Sequence, residues 1–278
     1  MPIITLTTDF GEKDHFAGAI KGTIYTELND VRIVDISHSV SPFNISEAAY
    51  IIQNAYSCFP KGTIHIIGID SELNKGNKHI AVKLDDHFFV CANNGIMSMI
   101  CAEIAPDKIV EINIHDKIET TFPVLDVFAK VACHIARGGT LEVIGKPIST
   151  IKPIRNLIPF VNEEKDQIIG NVIYIDNYGN VITNIKRKFF ESIQKGREFE
   201  ILARGYKFKK IHHKYSDIVN FEIPEERRHD EGRDMVFFNS SEYLEIAIYR
   251  SNSATVGSAS TLLGMKMMDT VTVKFLKP

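Results

Sequence analysis

Short runs of apolar, mostly β-branched residues alternate with stretches of helical spacing over the first half of the chain. The pattern predicts strands at residues 3–7, 32–35, 63–69, 80–84, 87–91 and 109–114, and helices at residues 16–27, 45–56, 95–102 and 127–137. The pair Asp85-Asp86 separates two of these strands and predicts a hairpin. Because strands and helices alternate, we expect an α/β fold with a largely parallel sheet.

The pattern changes after Gly139. Prolines at 147, 153 and 159 interrupt a stretch with few periodic runs, which is typical of a linker. The later strands are short and separated by turns, at residues 170–175, 181–185, 198–202, 235–238, 244–248 and 270–275. We therefore predict an N-terminal α/β domain at 1–150, a linker at 151–167 and a C-terminal antiparallel β domain at 168–278. The charged stretch 209–234 is interpreted as a solvated loop.

Composition narrows the class of protein. The chain has 32 Lys and Arg against 35 Asp and Glu, a net charge of −3, which argues against a nucleic-acid-binding protein. Its apolar runs fall short of the ~18 residues of a membrane helix, and the N-terminus does not resemble a signal peptide. The four cysteines lack CxxC spacing and are expected to be free thiols. We expect a cytoplasmic protein without a membrane partner.

Several common motifs of catalysis are missing. The sequence has no P-loop, no GxGxxG after the first strand, no GxSxG and no HExxH. We therefore expect neither a metal site nor a bound cofactor, and a small molecule is the expected ligand.

Polar residues follow two of the predicted strands. Asp9 lies within the run Thr-Thr-Asp-Phe-Gly after the first strand, and Asp70 follows the buried strand 63–69. The carboxyl ends of parallel strands are where α/β sheets bind ligands. Asp9 at that place can accept both hydroxyls of a ribose, or it can cap the next helix, since Asp is a preferred N-cap. These residues alone leave both interpretations open.

Further blocks follow in a fixed order: VDISH at 34–38, PFN at 42–44, IDNYGN at 175–180, TNI at 183–185 and NSSEYLEIA at 239–247. Together with the run around Asp9 and the strand-ending Asp70, this series resembles the S-adenosyl-L-methionine hydroxide adenosyltransferase family, which is related to fluorinating and chlorinating enzymes. The resemblance covers both predicted domains. It implies an N-terminal α/β domain, a C-terminal β-barrel-like domain, and a homotrimer with each ligand between the N-domain of one subunit and the C-domain of its neighbour.

The resemblance also implies roles for single residues. Asp9 would hold the ribose hydroxyls, Asp176 and Asn180 would serve the methionine and adenine ends, and Tyr178 would lie near the base. The other implied binding positions are Phe43, Asn44, Asn94, Phe122, Ser240, Ser241, Ile248 and Arg250. The serine pair would face the methionine carboxylate, and the last two would read the adenine edge. This agrees with the chemistry, because a zwitterionic methionine needs an acid for its ammonium and donors for its carboxylate.

The sequence departs from the family around the attacking water. The resemblance implies that hydrolytic members place an Asp, an Arg and a His around this water. Asp70 matches the Asp, but Asn77 stands at the Arg position, and Pro123, which cannot transfer a proton, stands at the His position. Lys78 could substitute for the Arg, although an ammonium does not reproduce the planar fork of a guanidinium. We predict Asp70 and Lys78 as the catalytic residues.

Three hypotheses of function remain. The first is hydrolysis of S-adenosyl-L-methionine to adenosine and L-methionine by attack of water at C5′. The second is a catalytically impaired protein that binds S-adenosyl-L-methionine or adenosine without turnover. The third keeps the same frame with another nucleophile or another adenosyl substrate. Halogenation fits less well. The resemblance implies a small hydroxyl residue in the halide pocket of halogenating members, and Val124 stands at that position.

Overall fold

Two units divide the chain, Met1–Arg155 and Asn156–Pro278. The computed structural model describes residues 1–102, 104–114, 119–154, 158–228 and 230–276. Residues 155–157 of the predicted linker lie outside the described residues. Of the helices that the structure describes, none combines the length and the apolar character that a membrane crossing needs.

The first unit contains a seven-stranded sheet with helices on both faces. Its strands are β1 (Ile3–Thr8), β2 (Arg32–Ser37), β3 (Ile64–Gly68), β4 (His79–Leu84), β5 (His87–Ala92), β6 (Lys108–Ile112) and β7 (Gly145–Pro147). Its helices are α1 (Phe16–Glu27), α2 (Ile45–Ala55), α3 (Ile96–Ile100), α4 (Ala129–Ala136) and α5 (Leu141–Ile144). A π-helical turn, Val124–Phe128, precedes α4.

The strand order of this sheet is β2-β1-β3-β5-β4-β6-β7. Strands β2, β1, β3 and β5 pair in parallel, whereas β4, β6 and β7 join the sheet antiparallel. The predicted α/β fold is confirmed, and its sheet is mixed rather than largely parallel. The cause is the hairpin between β4 and β5, where Asp85 and Asp86 have φ of 49° and 59°. Two consecutive positive φ values are typical of the tight turn that reverses a strand.

Burial explains why β1 and β3 lie at the centre of the parallel half. Ile4 and Leu6 of β1 pack with Ile64 and Ile66 of β3 against α1 and α4. The opposite face of the sheet is covered by α2 and α3, which pack on Ile67 and other buried residues. Both faces of these strands are covered, and the buried polar side chains Thr5 and His65 within them hydrogen-bond to each other.

The second unit is an antiparallel, barrel-like sheet, as predicted. Its strands are β8 (Phe160–Val161), β9 (Gln167–Ile175), β10 (Val181–Lys186), β11 (Phe199–Ala203), β12 (Tyr206–Phe208), β13 (Asp234–Phe238), β14 (Tyr243–Ile248) and β15 (Thr270–Phe275), and its helices are α6 (Arg187–Gln194) and α7 (Ala259–Leu262). The order is β12-β11-β15-β9-β10-β14-β13, with β8 beside β9. The backbone N–H of His212 donates to the carbonyl oxygen of Val236 at 2.7 Å, which links the segment after β12 to β13.

The charged stretch 209–234 is more ordered than a solvated loop, and that interpretation was wrong in part. It contains two short 3₁₀ turns, Tyr215–Ile218 and Glu225–Arg227. Ile218 is buried against Phe237 of β13 and its neighbours. The first turn thereby fixes the position of Tyr215, whose hydroxyl takes part in the polar network described below.

Candidate functional site

The two acids Asp9 and Asp70 follow adjacent parallel strands. In the pairing of β1 with β3, Thr8 lies opposite Gly68. Asp9 is therefore one residue and Asp70 two residues past the last pair, at the carboxyl edge of the sheet. This edge is where open α/β sheets bind their ligands. The sheet topology therefore brings together two carboxylates that lie far apart in the sequence.

The carboxylate of Asp9 is held by the loop that follows β2. Its Oδ2 accepts a hydrogen bond from the backbone N–H of Phe43 at 2.8 Å. Within the described residues, Oδ1 makes no hydrogen bond, which leaves an acceptor for a ligand. Asp9 does not cap α1, because that helix begins after His15 without a side-chain cap. The helix-capping interpretation of Asp9 is therefore not supported by the structure.

The backbone conformation and the exposure of Phe43 indicate a functional role and not a place in the hydrophobic core. Its φ is 61°, a region that bulky residues rarely occupy, and its side chain is 73% exposed. Such strain is retained where the surrounding structure imposes it, commonly at functional sites. The hydrogen bond from its N–H to Asp9 supplies part of that constraint.

The turn after β3 presents the Asp70 carboxylate to solvent. Asp70 is exposed and has a φ of 43°. Nδ2 of Asn77 donates to the carbonyl oxygens of Asp70 at 2.8 Å and of Glu72 at 3.0 Å. Asn77 itself is only 7% exposed, and its Oδ1 is buried without a hydrogen-bond partner. Asn77, which the sequence analysis matched to the family's Arg, therefore holds the backbone of the Asp70 turn.

A second asparagine supports the same turn from the other side. Nδ2 of Asn94 donates to the carbonyl oxygen of Ile69 at 2.9 Å, and its Oδ1 accepts from the backbone N–H of Ile96 at 3.1 Å. Asn94 is 5% exposed. Both amide atoms are therefore used inside the protein, and the structure gives Asn94 a role in holding the end of β3.

Of two further residues of the predicted site, Asn44 caps a helix and Lys78 is exposed. Oδ1 of Asn44 accepts from the backbone N–H of Glu47 at 3.1 Å and so caps α2, a common role for Asn. The side chain of Lys78 is exposed, and within the described residues it makes no contact with Asp70. The substitution of the family's Arg by Lys78 thus stays a prediction.

An aromatic cluster lies near the end of β3, beside Gly68. Phe122 packs edge-on against Phe10 and Phe16, with ring centroids 5.6 and 5.2 Å apart. A Cβ added to Gly68 would lie 3.3 Å from the tip of the Phe10 ring and 3.0 Å from Cγ2 of Val124. The end of β3 at Gly68 is therefore covered by apolar groups, whereas Asp70 beyond it is exposed.

In the second unit, the turn after β9 is organised by Asp176. Its Oδ1 accepts from the backbone N–H groups of Tyr178 and Asn180, each at 2.9 Å, and its Oδ2 accepts from Nδ2 of Asn180 at 3.0 Å. Gly179 has a φ of 78°, and a Cβ there would lie 2.1 Å from Oγ of Ser258. The turn thus requires glycine at this position. Burial raises the pKa of Asp176, against the opposing effect of these hydrogen bonds.

A buried polar network extends from this turn to the loop before β14. Nδ2 of Asn180 donates to the hydroxyl oxygen of Tyr215, which donates to Oε1 of Glu245, each at 3.0 Å. Oε2 of Glu245 accepts from Nδ2 of Asn239 at 3.0 Å. Glu245 is 4% exposed, and burial raises its pKa as well as that of Tyr215. A carboxylate this deeply buried is stable only when its oxygens are hydrogen-bonded.

The network reaches the predicted serine pair. Oδ1 of Asn239 accepts from the backbone N–H of Ser241 at 3.0 Å, which fixes the loop that carries Ser240 and Ser241. Ser240 is exposed and Ser241 is half-buried. The structure thus joins Asp176, Asn180 and the serine loop into one hydrogen-bonded group.

Three other predicted residues of this unit lie outside that group. The Tyr178 ring is 65% exposed, and Ile248 is buried at the end of β14. Arg250 has a φ of 54°, and its Nη1 lies 3.1 Å from Oε1 of Glu231. Within the described residues, none of these three side chains hydrogen-bonds to Asp176, and Tyr178 is connected to it only through its backbone N–H.

The sequence analysis missed Tyr215, Asn239 and Glu245 as members of the site. Glu245 stands among the buried residues of β14, and an acid at an inward position of an apolar strand was the available signal. Tyr215 lies in a charged stretch, where no pattern marked it. As for metals, the described residues contain no group of three or more His, Cys, Asp or Glu that could hold an ion.

Comparison with known proteins gives matches along both units. The family model described as SAM hydroxide adenosyltransferase N-terminal domain matches residues 4–145, and the corresponding C-terminal domain model matches residues 170–272.

Individual relatives cover almost the whole chain. A protein of Methanocaldococcus jannaschii named (R)-S-adenosyl-L-methionine hydrolase is 28% identical over 98% of this chain and 96% of its own length. A fluorinase of Actinopolyspora mzabensis is 25% identical over 88% and 90%. A crystal structure of an uncharacterized conserved protein from Thermotoga maritima has a TM-score of 0.83 with 26% identity, covering 99% of this chain and 100% of that one.

Proposed function

Because the chain belongs to the SAM hydroxide adenosyltransferase family, we propose that it binds S-adenosyl-L-methionine and hydrolyses it to adenosine and L-methionine. The relative from Methanocaldococcus jannaschii is named for that activity, and the match covers nearly its full length. The observation that carries the proposal is the placement of Asp9 and Asp70 after adjacent parallel strands. One acid can hold the ribose while the other faces the carbon next to it.

The reaction is a displacement at C5′ of the ribose. The oxygen of water forms a bond to C5′, the C5′–S bond breaks, and its electron pair stays on sulfur. Methionine leaves as a neutral thioether, and the proton that water loses passes through the Asp70 carboxylate to solvent. The positive sulfur already activates the leaving group, so the proposal needs no cofactor. The protein has to hold water in line with the C5′–S bond and limit competing solvation.

Asp9 is proposed to bind the ribose hydroxyls. Its Oδ2 is fixed by the N–H of Phe43, and its Oδ1 has no partner within the described residues. A carboxylate that accepts from a hydroxyl forms a short, charge-assisted hydrogen bond. The exposed Phe43 ring on the same loop is proposed to pack near the sugar.

In the second unit, Asp176 is proposed to bind the methionine ammonium. Burial disfavours its charged form, and a cation would restore that form. The loop of Ser240 and Ser241, fixed through Asn239, is proposed to offer donors to the methionine carboxylate. Asn180, Tyr178, Ile248 and Arg250 are proposed for the adenine side.

The missing Arg and His favour slow turnover. Asn77 holds the Asp70 turn in place, and Pro123 has no group that transfers protons. Enzymes that lose members of a catalytic set commonly retain activity from positioning alone. The second candidate, binding without turnover, is favoured by the same departures. Halogenation is not proposed, because Val124 is a buried apolar residue at the place of the halide donor.

We further propose a cytoplasmic homotrimer with ligand sites between subunits and without nucleic-acid or membrane partners. The family resemblance supports the assembly. The four cysteines, all in the described part of the chain, are free thiols, which supports a reducing compartment.

A time course of product formation tests the proposal. Purified protein at near-stoichiometric concentration is incubated with S-adenosyl-L-methionine, and products are separated against a blank without protein. We expect adenosine and methionine in equal amounts, and no product above the blank for Asp70→Ala. Calorimetric binding by a wild-type protein that forms no product would favour the impaired binder. A wild-type rate that persists in Asp70→Ala would remove Asp70 from the mechanism.

A further inference from the structure

His38 lies beneath the Asp9 loop and has no assigned role in the proposed site. It follows β2 directly and is 5% exposed. Its Nδ1 forms a hydrogen bond of 2.7 Å with Oγ1 of Thr8, the last residue of β1. A buried imidazole so placed connects the ends of two parallel strands immediately before Asp9.

The other ring nitrogen of His38 faces an acid. Its Nε2 lies 3.1 Å from Oδ1 of Asp35, a charge contact outside hydrogen-bond geometry, and the other carboxylate oxygen of Asp35 pairs with Lys21. Burial acts to raise the pKa of Asp35, but Lys21 and His38 together hold it below its usual value. Asp35 is therefore an ionised acceptor. Its negative charge near Nε2 favours the tautomer with the proton on Nε2, in which Nδ1 accepts from the Thr8 hydroxyl.

These contacts bracket Asp9 on both sides. Oγ1 of Thr8 also accepts the backbone N–H of Phe10 at 3.4 Å, a long bond. The carbonyl oxygen of His38 accepts the N–H of Gly11 at 2.7 Å. The chain after His38 leads to Phe43, whose N–H holds Oδ2 of Asp9. Thr8, immediately before Asp9, therefore bonds the His38 ring, and Gly11, two residues after Asp9, bonds the His38 backbone.

We propose that His38 is a positioning residue that makes Asp9 selective for a ribose over a 2′-deoxyribose. The inference rests on the proposed function, in which Asp9 binds the ribose hydroxyls. Selectivity requires a carboxylate with a fixed direction, because a hydrogen bond weakens steeply as its angle departs from linearity. A mobile Asp9 still attracts polar ligands but loses the distinction between one hydroxyl and two.

Equilibrium binding of adenosine and of 2′-deoxyadenosine tests this selectivity without any need for turnover. The ratio of the two dissociation constants is measured by calorimetry for the wild type, His38→Leu, His38→Asn and Thr8→Val. The Asn variant keeps a polar atom near the place of Nδ1, and Thr8→Val removes the hydroxyl with little change in shape. His134→Gln is the control, since His134 is a half-buried histidine that contacts the carbonyl oxygen of Thr140 away from Asp9. Circular dichroism verifies that each variant is folded.

We expect the wild type to prefer adenosine by about tenfold or more, the scale of one hydrogen bond to a charged group. His38→Leu and Thr8→Val should each lower this ratio by about threefold or more, while His38→Asn retains most of it and His134→Gln leaves it unchanged. Equal losses of affinity for both nucleosides, with the ratio preserved, would overturn the inference and leave the proposed function standing. A wild type that binds adenosine without preference, or not at all, would contradict the role of Asp9 itself.

Discussion

Nδ2 of Asn77 donates a hydrogen bond of 2.8 Å to the backbone carbonyl oxygen of Asp70. Because the same amide also binds the carbonyl oxygen of Glu72, one side chain fixes the turn in which Asp70 has a positive φ. The side chain that the sequence analysis matched to the family's Arg thus binds the backbone of the Asp70 turn. The catalytic role proposed for Asp70 depends on this contact, because it fixes the position of the turn.

Asn77→Ala is expected to lower kcat for adenosine formation by about tenfold, with a smaller change in KM. The turn would lose two donors, and misplacement of a positioned group is costly to the rate. Asn54→Ala is the matched control, because Nδ2 of Asn54 donates to the carbonyl oxygen of Tyr50 in α2. Steady-state kinetics measures kcat. An unchanged kcat in Asn77→Ala would show that the turn needs no such support.

Tyr215→Phe is expected to destabilise the second unit. The substitution removes the hydroxyl between Asn180 and Glu245 and takes from Oε1 of the buried Glu245 the donor that Tyr215 supplies, at a cost of about 1–3 kcal/mol. Chemical denaturation measures the change in the free energy of unfolding. Tyr206→Phe serves for comparison, since the Tyr206 hydroxyl makes only a long contact of 3.4 Å with the carbonyl oxygen of Leu262. Equal effects of the two substitutions would argue against the network.

The affinity for S-adenosyl-L-methionine is expected to fall on acidification, at a higher pH than an ordinary Asp would cause. Binding of the methionine ammonium favours the ionised form of Asp176, whose pKa in the free protein is raised by burial. Affinity should therefore be full above that raised pKa and should decline as the pH falls through it, sooner than for an ordinary Asp.

Calorimetry over a pH series measures this decline, and Asp176→Asn is the control. The variant should bind more weakly at neutral pH and lose the acid-dependent step. If the wild type and Asp176→Asn show the same pH profile, another group must bind the ammonium.

Regular patterns made much of the fold predictable from the sequence. Helix α1 and strand β15 have the bounds that their patterns predicted, and the hairpin at Asp85-Asp86 was found from its turn residues. Strand β7 was not predicted, because it has three residues and contains Pro147, which is typical of loops. Proline is tolerated there because β7 lies at the edge of the sheet. The mixed character of the sheet follows from pairings between distant residues, which no local pattern reveals.

The candidate site was predictable only where its residues end strands or form recognisable motifs. Asp9, Asp70 and Asp176 all follow strands, and the resemblance assigned them roles. Tyr215 could not be found in this way, because its contact with Asn180 spans 35 positions and its neighbours are charged surface residues. The bracketing of Asp9 by His38 depends likewise on the parallel pairing of β1 with β2.

The most direct test of the account is to carry out the reaction in ¹⁸O-labelled water and to measure the mass of the adenosine that forms by mass spectrometry. Attack of water at C5′ predicts adenosine heavier by one ¹⁸O atom, located at the 5′ oxygen, in amounts that exceed the blank and that depend on Asp70. Adenosine without the label would contradict attack by water. The absence of adenosine, with S-adenosyl-L-methionine still bound, would contradict hydrolysis and leave a binding protein.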